Sequence, residues 1–259
     1  MPANMRWHFR LQPPPRALLA VLFVMPVASA WSADWTSFYL GTDVAAGQVY
    51  SHAVRNSADA LFPVGFVSSI VETGAAGGVT AGADYQLKWL VVGVTGSWQG
   101  TGIGGTSTSY SPQIKGVYLV AQRDTDWLAD AGGRVGVALE RWLFYGKGGA
   151  AWRRHDENAT NSTYDQNGVL ITESQSQPIT LFGYVVGGGI EWQPAEAVSV
   201  KVEFDWFNFG TPPSEATTCI AGKCGSGTPS GLATTYPTVG EVKVGVNLHL
   251  DWPQSLAHR

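Results

Sequence analysis

The sequence predicts an all-β fold: eight antiparallel strands closed up-and-down into a transmembrane β-barrel. Three observations predict it. Apolar and polar residues alternate in eight separate segments, short and long connections between these segments alternate strictly, and tryptophans gather at the segment ends. Successive side chains of a strand point to opposite faces, so such alternation indicates strands with one apolar and one polar face.

The clearest of the eight segments is VSVKVEFDWFNF, residues 198–209. Every second residue from its start is apolar: Val198, Val200, Val202, Phe204 and Trp206. The intervening positions, and one just beyond them, are polar: Ser199, Lys201, Glu203, Asp205 and Asn208. We therefore expect the apolar row to face lipid and the polar row to face the inside of the barrel.

The connections between segments predict the topology. The segments cover residues 35–48, 73–86, 89–99, 127–139, 141–152, 179–192, 197–209 and 239–252. Links of a few residues, at 87–88, 140 and 193–196, require antiparallel hairpins. The long links, at 49–72, 100–126, 153–178 and 210–238, are rich in Ser, Thr, Asn, Gly and Pro. Short turns at one end and long loops at the other are typical of outer-membrane barrels.

Tryptophans mark two rings. Those at the short-turn end are Trp35, Trp89, Trp142, Trp192 and Trp252, and those at the long-loop end are Trp98, Trp127, Trp152 and Trp206. Trp142 and Trp152 share a strand face, and the strand between them rises roughly 25 Å, the height of the apolar band. Indole rings prefer the membrane interface. Trp89 is out of phase with its strand, so we expect it in the turn.

The polar faces carry charges of both signs, which we expect inside the barrel. The main lumen charges are Asp130, Arg134, Lys147, Glu191, Lys201, Glu203 and Lys243, accompanied by Asp43, Asp84, Asp205 and Glu241. The interior of an eight-stranded barrel is just wide enough to be filled by side chains, and buried charges there must pair. These residues therefore predict a charged plug in preference to a selectivity filter.

The sequence predicts a signal peptide at 1–30, a barrel at 31–252 and a tail at 253–259. Three arginines precede an apolar run at 17–27, and Ala28-Ser29-Ala30 follows it, as in a secretory signal; Met1 or Met5 could be the start. Without residues 1–30 the chain has 13 basic and 20 acidic residues, a balance unsuited to nucleic acid. Cys219 and Cys224, the two cysteines of an exported chain, predict one disulfide.

Catalytic and metal-binding patterns are weak. No two of His52, His155 and His249 lie at metal-ligand spacing, so we expect no metal and no cofactor. One enzyme alternative is a lipid A-modifying acyl hydrolase, and its sole candidate set is His155 with Asp156 or Glu157 and Ser162, in a loop. A soluble lipocalin-like secreted barrel would also have eight alternating strands. The aromatic rings and the glycine-rich charged face favour the membrane form.

Several motifs resemble a known family. They are WTSFYLG at 35–41, DWL at 126–128, GRVG at 133–136, LFYGKGG at 143–149, GGGIEW at 187–192 and VKVEF at 200–204. In this order they resemble the small porin-like outer-membrane barrels of Gram-negative bacteria, of the surface-antigen type. The resemblance implies an eight-stranded barrel in the cell outer membrane and little chemistry.

The resemblance also implies an assembly signal in the last strand, read by the barrel-assembly machinery. Its residues here are Lys243, Gly245, Leu248 and Leu250. Family members usually end on a terminal Phe, whereas this chain continues through Trp252 into a tail.

We expect a non-enzymatic protein with a structural and surface-interaction role carried by four long extracellular loops. Its expected partners are outer-membrane lipid, the assembly machinery and an unknown surface ligand; the alternative in the same class is a narrow porin-like channel.

Overall fold

The computed structural model describes residues 33–55, 63–112, 118–164, 170–210, 218–220, 223–225, 233–235 and 237–251. The predicted signal peptide, Trp252 and the 253–259 tail lie outside them. All described residues belong to the compact unit Trp31–Arg259. Within the described part, no helix is long and apolar enough to cross a membrane.

Eight long antiparallel strands form a closed ring. Their bounds are β1 Ser37–Arg55, β2 Val67–Leu87, β3 Leu90–Tyr110, β4 Tyr118–Leu139, β5 Trp142–Tyr164, β6 Leu170–Ala195, β7 Val198–Phe209 and β11 Thr238–Asp251. Each strand pairs with its neighbours in the order β1-β11-β7-β6-β5-β4-β3-β2, and pairing of β1 with β2 closes the ring. Three short strands lie between β7 and β11: β8 Thr218–Ile220, β9 Lys223–Gly225 and β10 Ala233–Thr235. The predicted eight-stranded, antiparallel, all-β fold is confirmed.

Two-residue turns connect the strands at one end. Lys88 and Trp89 join β2 to β3, and Glu140 and Arg141 join β4 to β5. The first residue of each turn is left-handed, with φ of 59° at Lys88 and 54° at Glu140. Positive φ at the first turn residue suits the right-handed twist of hairpin strands. Trp89 lies in its turn, 60% exposed, as its phase predicts.

The strands are longer than predicted at the opposite end. The predicted bounds of most long loops were therefore wrong, because many of their residues lie in strands. β3 and β4 stay paired up to Tyr110 and Tyr118, and β5 and β6 up to Tyr164 and Leu170. Alternation marks a strand only while one face meets lipid and the other a packed interior. Beyond the membrane both faces can be polar, so the hydrogen-bonded ladder continues without a sequence pattern.

The two faces of β7 differ in exposure as its alternation predicts. Val202, Phe204 and Trp206 are about half exposed, at 51%, 50% and 46%, whereas the charged row between them is buried. The prediction was wrong at the end of the strand. Phe207 and Phe209 point inward and are buried, and Asn208 belongs to the outward row. The interior therefore changes from charged to apolar along a single strand face.

Candidate functional site

The barrel interior is the best-defined polar site in the described part of the chain. Its side chains form three layers along the barrel: an apolar base at the short-turn end, a charged middle layer, and an apolar layer nearer the opposite end. Each layer draws on several strands, because inward residues of neighbouring strands meet at the same height.

The base is closed by residues that precede β1. The Ala33 N–H donates to the Glu140 carbonyl at 3.1 Å, and the Trp35 N–H donates to Gln86 Oε1 at 2.8 Å. Glu140 belongs to the β4–β5 turn, so this segment, the strap 33–36, reaches from β1 to another hairpin. Trp35 is fully buried against Val91, Leu143 and Tyr145. The expectation that Trp35 lies in the membrane-interface ring was wrong, because the strap turns its indole into the barrel.

Arg134 organises the lower part of the charged layer. Its guanidinium donates to both oxygens of Asp84, with Nε–Oδ1 at 2.7 Å, and to Glu191 Oε2 at 3.0 Å. Its Cζ lies 4.5 Å from the ring centre of Tyr39 and 5.1 Å from that of Tyr145. Two carboxylates and two aromatic faces compensate the buried charge, an arrangement that the planar guanidinium favours.

A serine–histidine–carboxylate chain lies below Arg134. His249 Nε2 is 2.7 Å from Ser199 Oγ, and His249 Nδ1 is 2.8 Å from Ser37 Oγ. Ser199 also donates to Glu191 Oε1, which accepts from Asn247 Nδ2 at 2.6 Å. No local pattern in the sequence indicates these hydrogen bonds, because the residues that make them lie on four strands. Ser199 is 0% exposed inside the barrel, so a substrate has no access to it, and these hydrogen bonds are structural.

Two lysines hold the upper part of the charged layer together. Lys147 Nζ lies 2.9 Å from both Glu203 Oε1 and Asp205 Oδ2, and 3.4 Å from Asp130 Oδ1. Lys243 Nζ contacts the same Glu203 and Asp205 oxygens, at 3.0 Å for Glu203. The Tyr145 hydroxyl donates to the second Glu203 oxygen at 2.5 Å. These charges are buried, and each faces at least one opposite charge, the condition on which a buried ion is tolerated.

Lys201 and Asp43 join this layer through a threonine. Thr80 Oγ1 donates to Asp43 Oδ2 at 2.7 Å and lies 3.4 Å from Lys201 Nζ. Lys243 Nζ is also 3.4 Å from Glu241 Oε1, which accepts from Gln99 at 3.0 Å. The structure therefore brings all seven main predicted lumen charges into one buried layer.

The second apolar layer was not predicted. Its buried members are Val49, Ile103, Leu128, Ala151, Leu181, Val185, Phe207, Phe209 and Val239. Beyond it, Arg153 Nη2 contacts Glu72 Oε2 at 2.6 Å and Thr125 Oγ1 at 2.7 Å. The members of the apolar layer are uncharged side chains, so charged and glycine positions on the inner face do not indicate this layer. The same parity that identified Glu203 and Asp205 would have found Phe207 and Phe209.

Of the hydrolase candidate set, the structure describes the side chains of His155 and Asp156. His155 lies in strand β5, 4% exposed, and not in a loop. Its neighbour Asp156 points to the opposite face of the same strand and pairs across the ladder with Asp124. The side chains of Glu157 and Ser162 lie outside the described residues. Within the described part, no group of three or more His, Cys, Asp or Glu could hold a metal ion.

The cysteines and the proposed assembly residues occupy distinct positions. Cys219 in β8 lies directly opposite Cys224 in β9. Directly paired strand residues have Cα atoms about 4.5–5.5 Å apart, within disulfide range, and the bridge stays a prediction. In β11, Lys243 is buried and Gly245 lies on the same inward row, whereas Leu248 and Leu250 face outward at 55% and 51% exposure.

A closed antiparallel ring with a lipid-exposed apolar outside and a packed polar inside defines an outer-membrane β-barrel. Residues 17–249 match the family model described as the outer membrane protein beta-barrel domain, so the chain belongs to that family and lies in the outer membrane. The search of curated proteins finds no match.

Several solved structures are similar in fold. Neisserial surface protein A is 14% identical, with a TM-score of 0.37, and the match covers 82% of this chain and 97% of that one. Ail of Yersinia pestis is 10% identical, with a TM-score of 0.34 and coverages of 81% and 98%. The outer membrane protease OmpT from Escherichia coli is 10% identical, with a TM-score of 0.43 and coverages of 83% and 97%. These values are too low to transfer an activity to this chain.

Proposed function

We propose that this protein is a non-enzymatic outer-membrane barrel with a structural and surface-interaction role, carried by the part that rises outside the membrane. The observation that carries the proposal is the sealed interior: an ion-paired layer lies between two apolar layers. Water enters an apolar constriction unfavourably, and such constrictions close pores by dewetting. A transport role is therefore less well supported than a surface role.

The outer extension offers the surface. From Trp152, at the predicted outer ring, β5 continues to Tyr164, a further twelve residues. At about 3.3 Å per residue and a tilt of about 40°, this is a rise of roughly 30 Å. Paired strands hold their shape better than open loops do, so a partner would meet a preorganised sheet. The surface role therefore belongs to the strand extensions together with their connecting tips, and not to four long loops alone. Its ligand is unknown.

Two deletion variants separate the tips from the sheet. The first replaces 111–117 and 165–169 by short turns, and the second joins β3 to β4 and β5 to β6 nearer the membrane, at Thr106 with Gln122 and at Glu157 with Gln177. Both joins follow existing ladder pairs, so the barrel should still fold. We expect settling of cell suspensions and adherence to glycoprotein-coated glass to fall with the second variant. Adherence that survives both deletions would contradict the proposal.

Conductance tests the alternative channel. In planar bilayers we expect small, erratic currents from the wild-type protein and from both deletion variants. A steady, ion-selective current that changes with substitution of Lys147 or Glu203 would instead establish a channel.

A further inference from the structure

The outward face of the barrel contains an open recess of about 670 Å³ at the level of the predicted outer tryptophan ring. One row of ladder pairs forms its centre. Trp206 of β7 pairs with Gly240 of β11, Gly240 with Gln48 of β1, and Gln48 with Thr73 of β2. All four residues belong to outward rows, so their side chains line a shallow trough across four strands.

Gly240 provides the floor of the recess, and the fold does not require glycine there. A Cβ at this position would meet only the Trp206 ring, at 3.7 and 3.9 Å, which are ordinary contact distances. Gly41 differs, because there a Cβ would collide with Asn247 inside the barrel. Glycine weakens a strand and can mark a place where a ligand approaches the backbone closely. The missing side chain at Gly240 therefore leaves space on the outside of the barrel.

The walls combine aromatic and uncharged polar groups. Trp206 and Tyr50 are 46% and 50% exposed, and the side chains of Gln48 and Thr73 are also exposed. An amide and a hydroxyl can both donate and accept hydrogen bonds. The acidic residue among the lining, Glu241, points into the barrel, where it is 1% exposed and contacts Lys243. The outward lining is thus neutral among the described residues.

We propose that this recess binds the neutral sugar ring of a glycolipid in the outer leaflet. A sugar ring has an apolar C–H face that can lie on the indole of Trp206, and hydroxyls at its edge that can bond to Gln48 and Thr73. Phe204 and Val242, outward and half exposed, continue the trough and offer a path for the acyl chains. A phosphate group fits less well, because recognition of phosphate favours arginine or lysine.

The test uses the refolded full-length barrel in phosphatidylcholine vesicles that contain either a monogalactosyl lipid or phosphatidylglycerol at equal mole fraction. After extraction, native mass spectrometry counts the lipid molecules retained by each barrel. We expect one galactolipid per wild-type barrel. We expect Trp206→Ala to weaken retention about tenfold, which corresponds to about 1.4 kcal/mol. Gly240→Leu, which fills the recess from a sterically permitted position, should abolish retention.

Two further variants complete the test. Trp98→Ala is the matched control, since Trp98 is an outward tryptophan of the same ring at 52% exposure but lies on β3. It should leave retention unchanged, whereas Gln48→Ala should weaken it without altering any packed residue. Equal retention of phosphatidylcholine, preferential retention of phosphatidylglycerol, or an equal loss in Trp98→Ala would each overturn the proposal. So would unchanged retention in Gln48→Ala if Gly240→Leu fails to fold.

Discussion

Glu203 connects both lysines of the upper charged layer to a buried tyrosine. One of its oxygens lies within 3.0 Å of both lysine ammonium groups, of Lys147 and Lys243, and the other accepts from Tyr145. Asp205 faces the same two lysines, and if Glu203 lost its charge each lysine would keep Asp205 and one carboxylate at 3.4 Å, Asp130 for Lys147 and Glu241 for Lys243. Removing one partner of a buried ion pair destabilises a fold far more than removing one partner of an exposed pair.

Glu203→Gln should therefore lower the free energy of unfolding by roughly 3–5 kcal/mol, because two buried lysines would each lose a carboxylate partner within 3.0 Å. The measurement is a urea titration of refolding into phosphatidylcholine vesicles. Asp126→Asn is the control: Asp126 contacts Arg154 at 3.5 Å, with both side chains over 40% exposed. An exposed pair of this kind contributes about 0–1 kcal/mol. Equal midpoint shifts in the two variants would contradict the assigned ion-pair layer.

The sequence could show which charges face inward, but not how they pair. Parity alone places Asp130, Lys147 and Glu203 on inner faces. Lys147 on β5 and Glu203 on β7 are 56 residues apart and meet across β6, which lies between their strands. Their contact depends on the registers of three strands in the closed ring, which no local pattern encodes.

Among the elements, the strap 33–36 was the least predictable. It precedes the first strand and has no periodicity, so the sequence could not indicate that its tryptophan turns inward. The direction is set by the Ala33–Glu140 and Trp35–Gln86 hydrogen bonds, together with a T-shaped contact of Trp35 with His249 at 5.8 Å. The short turns were predictable because they are local. The outer strand extensions were not, because alternation ends where the lipid ends.

Trp35→Ala should destabilise the barrel by roughly 3–5 kcal/mol, the usual cost of removing a large buried aromatic side chain. Trp35→Phe should cost less, since part of the base would still be filled. The measurement is the temperature at which the compact, fast-migrating form is lost on a gel. Trp89→Ala, in an exposed turn, should leave that temperature almost unchanged. A similar loss in both alanine variants would show that the strap does not seal the base.

Closure of the ring depends on β11, which pairs with β1 on one side and β7 on the other. Pairing of β11 with β1 therefore joins strands from opposite ends of the ring's chain order. This position gives physical sense to an assembly signal in β11, which the family resemblance implies. Two of its residues also have packing roles: Lys243 holds the charged layer, and a Cβ at Gly245 would press on Lys201, Thr42 and Asp43 at 3.0–3.1 Å. A substitution at either residue would therefore change the stability of the barrel as well as any recognition by the assembly machinery.

Leu250 separates the two effects, because it faces lipid and contributes nothing to the interior. We expect Leu250→Asp to accumulate unassembled in the periplasm, whereas removal of 253–259 should leave assembly intact. Leu139→Asp is the matched control: Leu139 is also outward at the short-turn end, 56% exposed, but ends β4. Both substitutions place one carboxylate at a similar depth, so their cost in the folded barrel should be alike. Cell fractionation with heat-modifiable gel migration would measure assembly, and equal trapping of both variants would mean that lipid-face polarity, and not a signal in β11, is responsible.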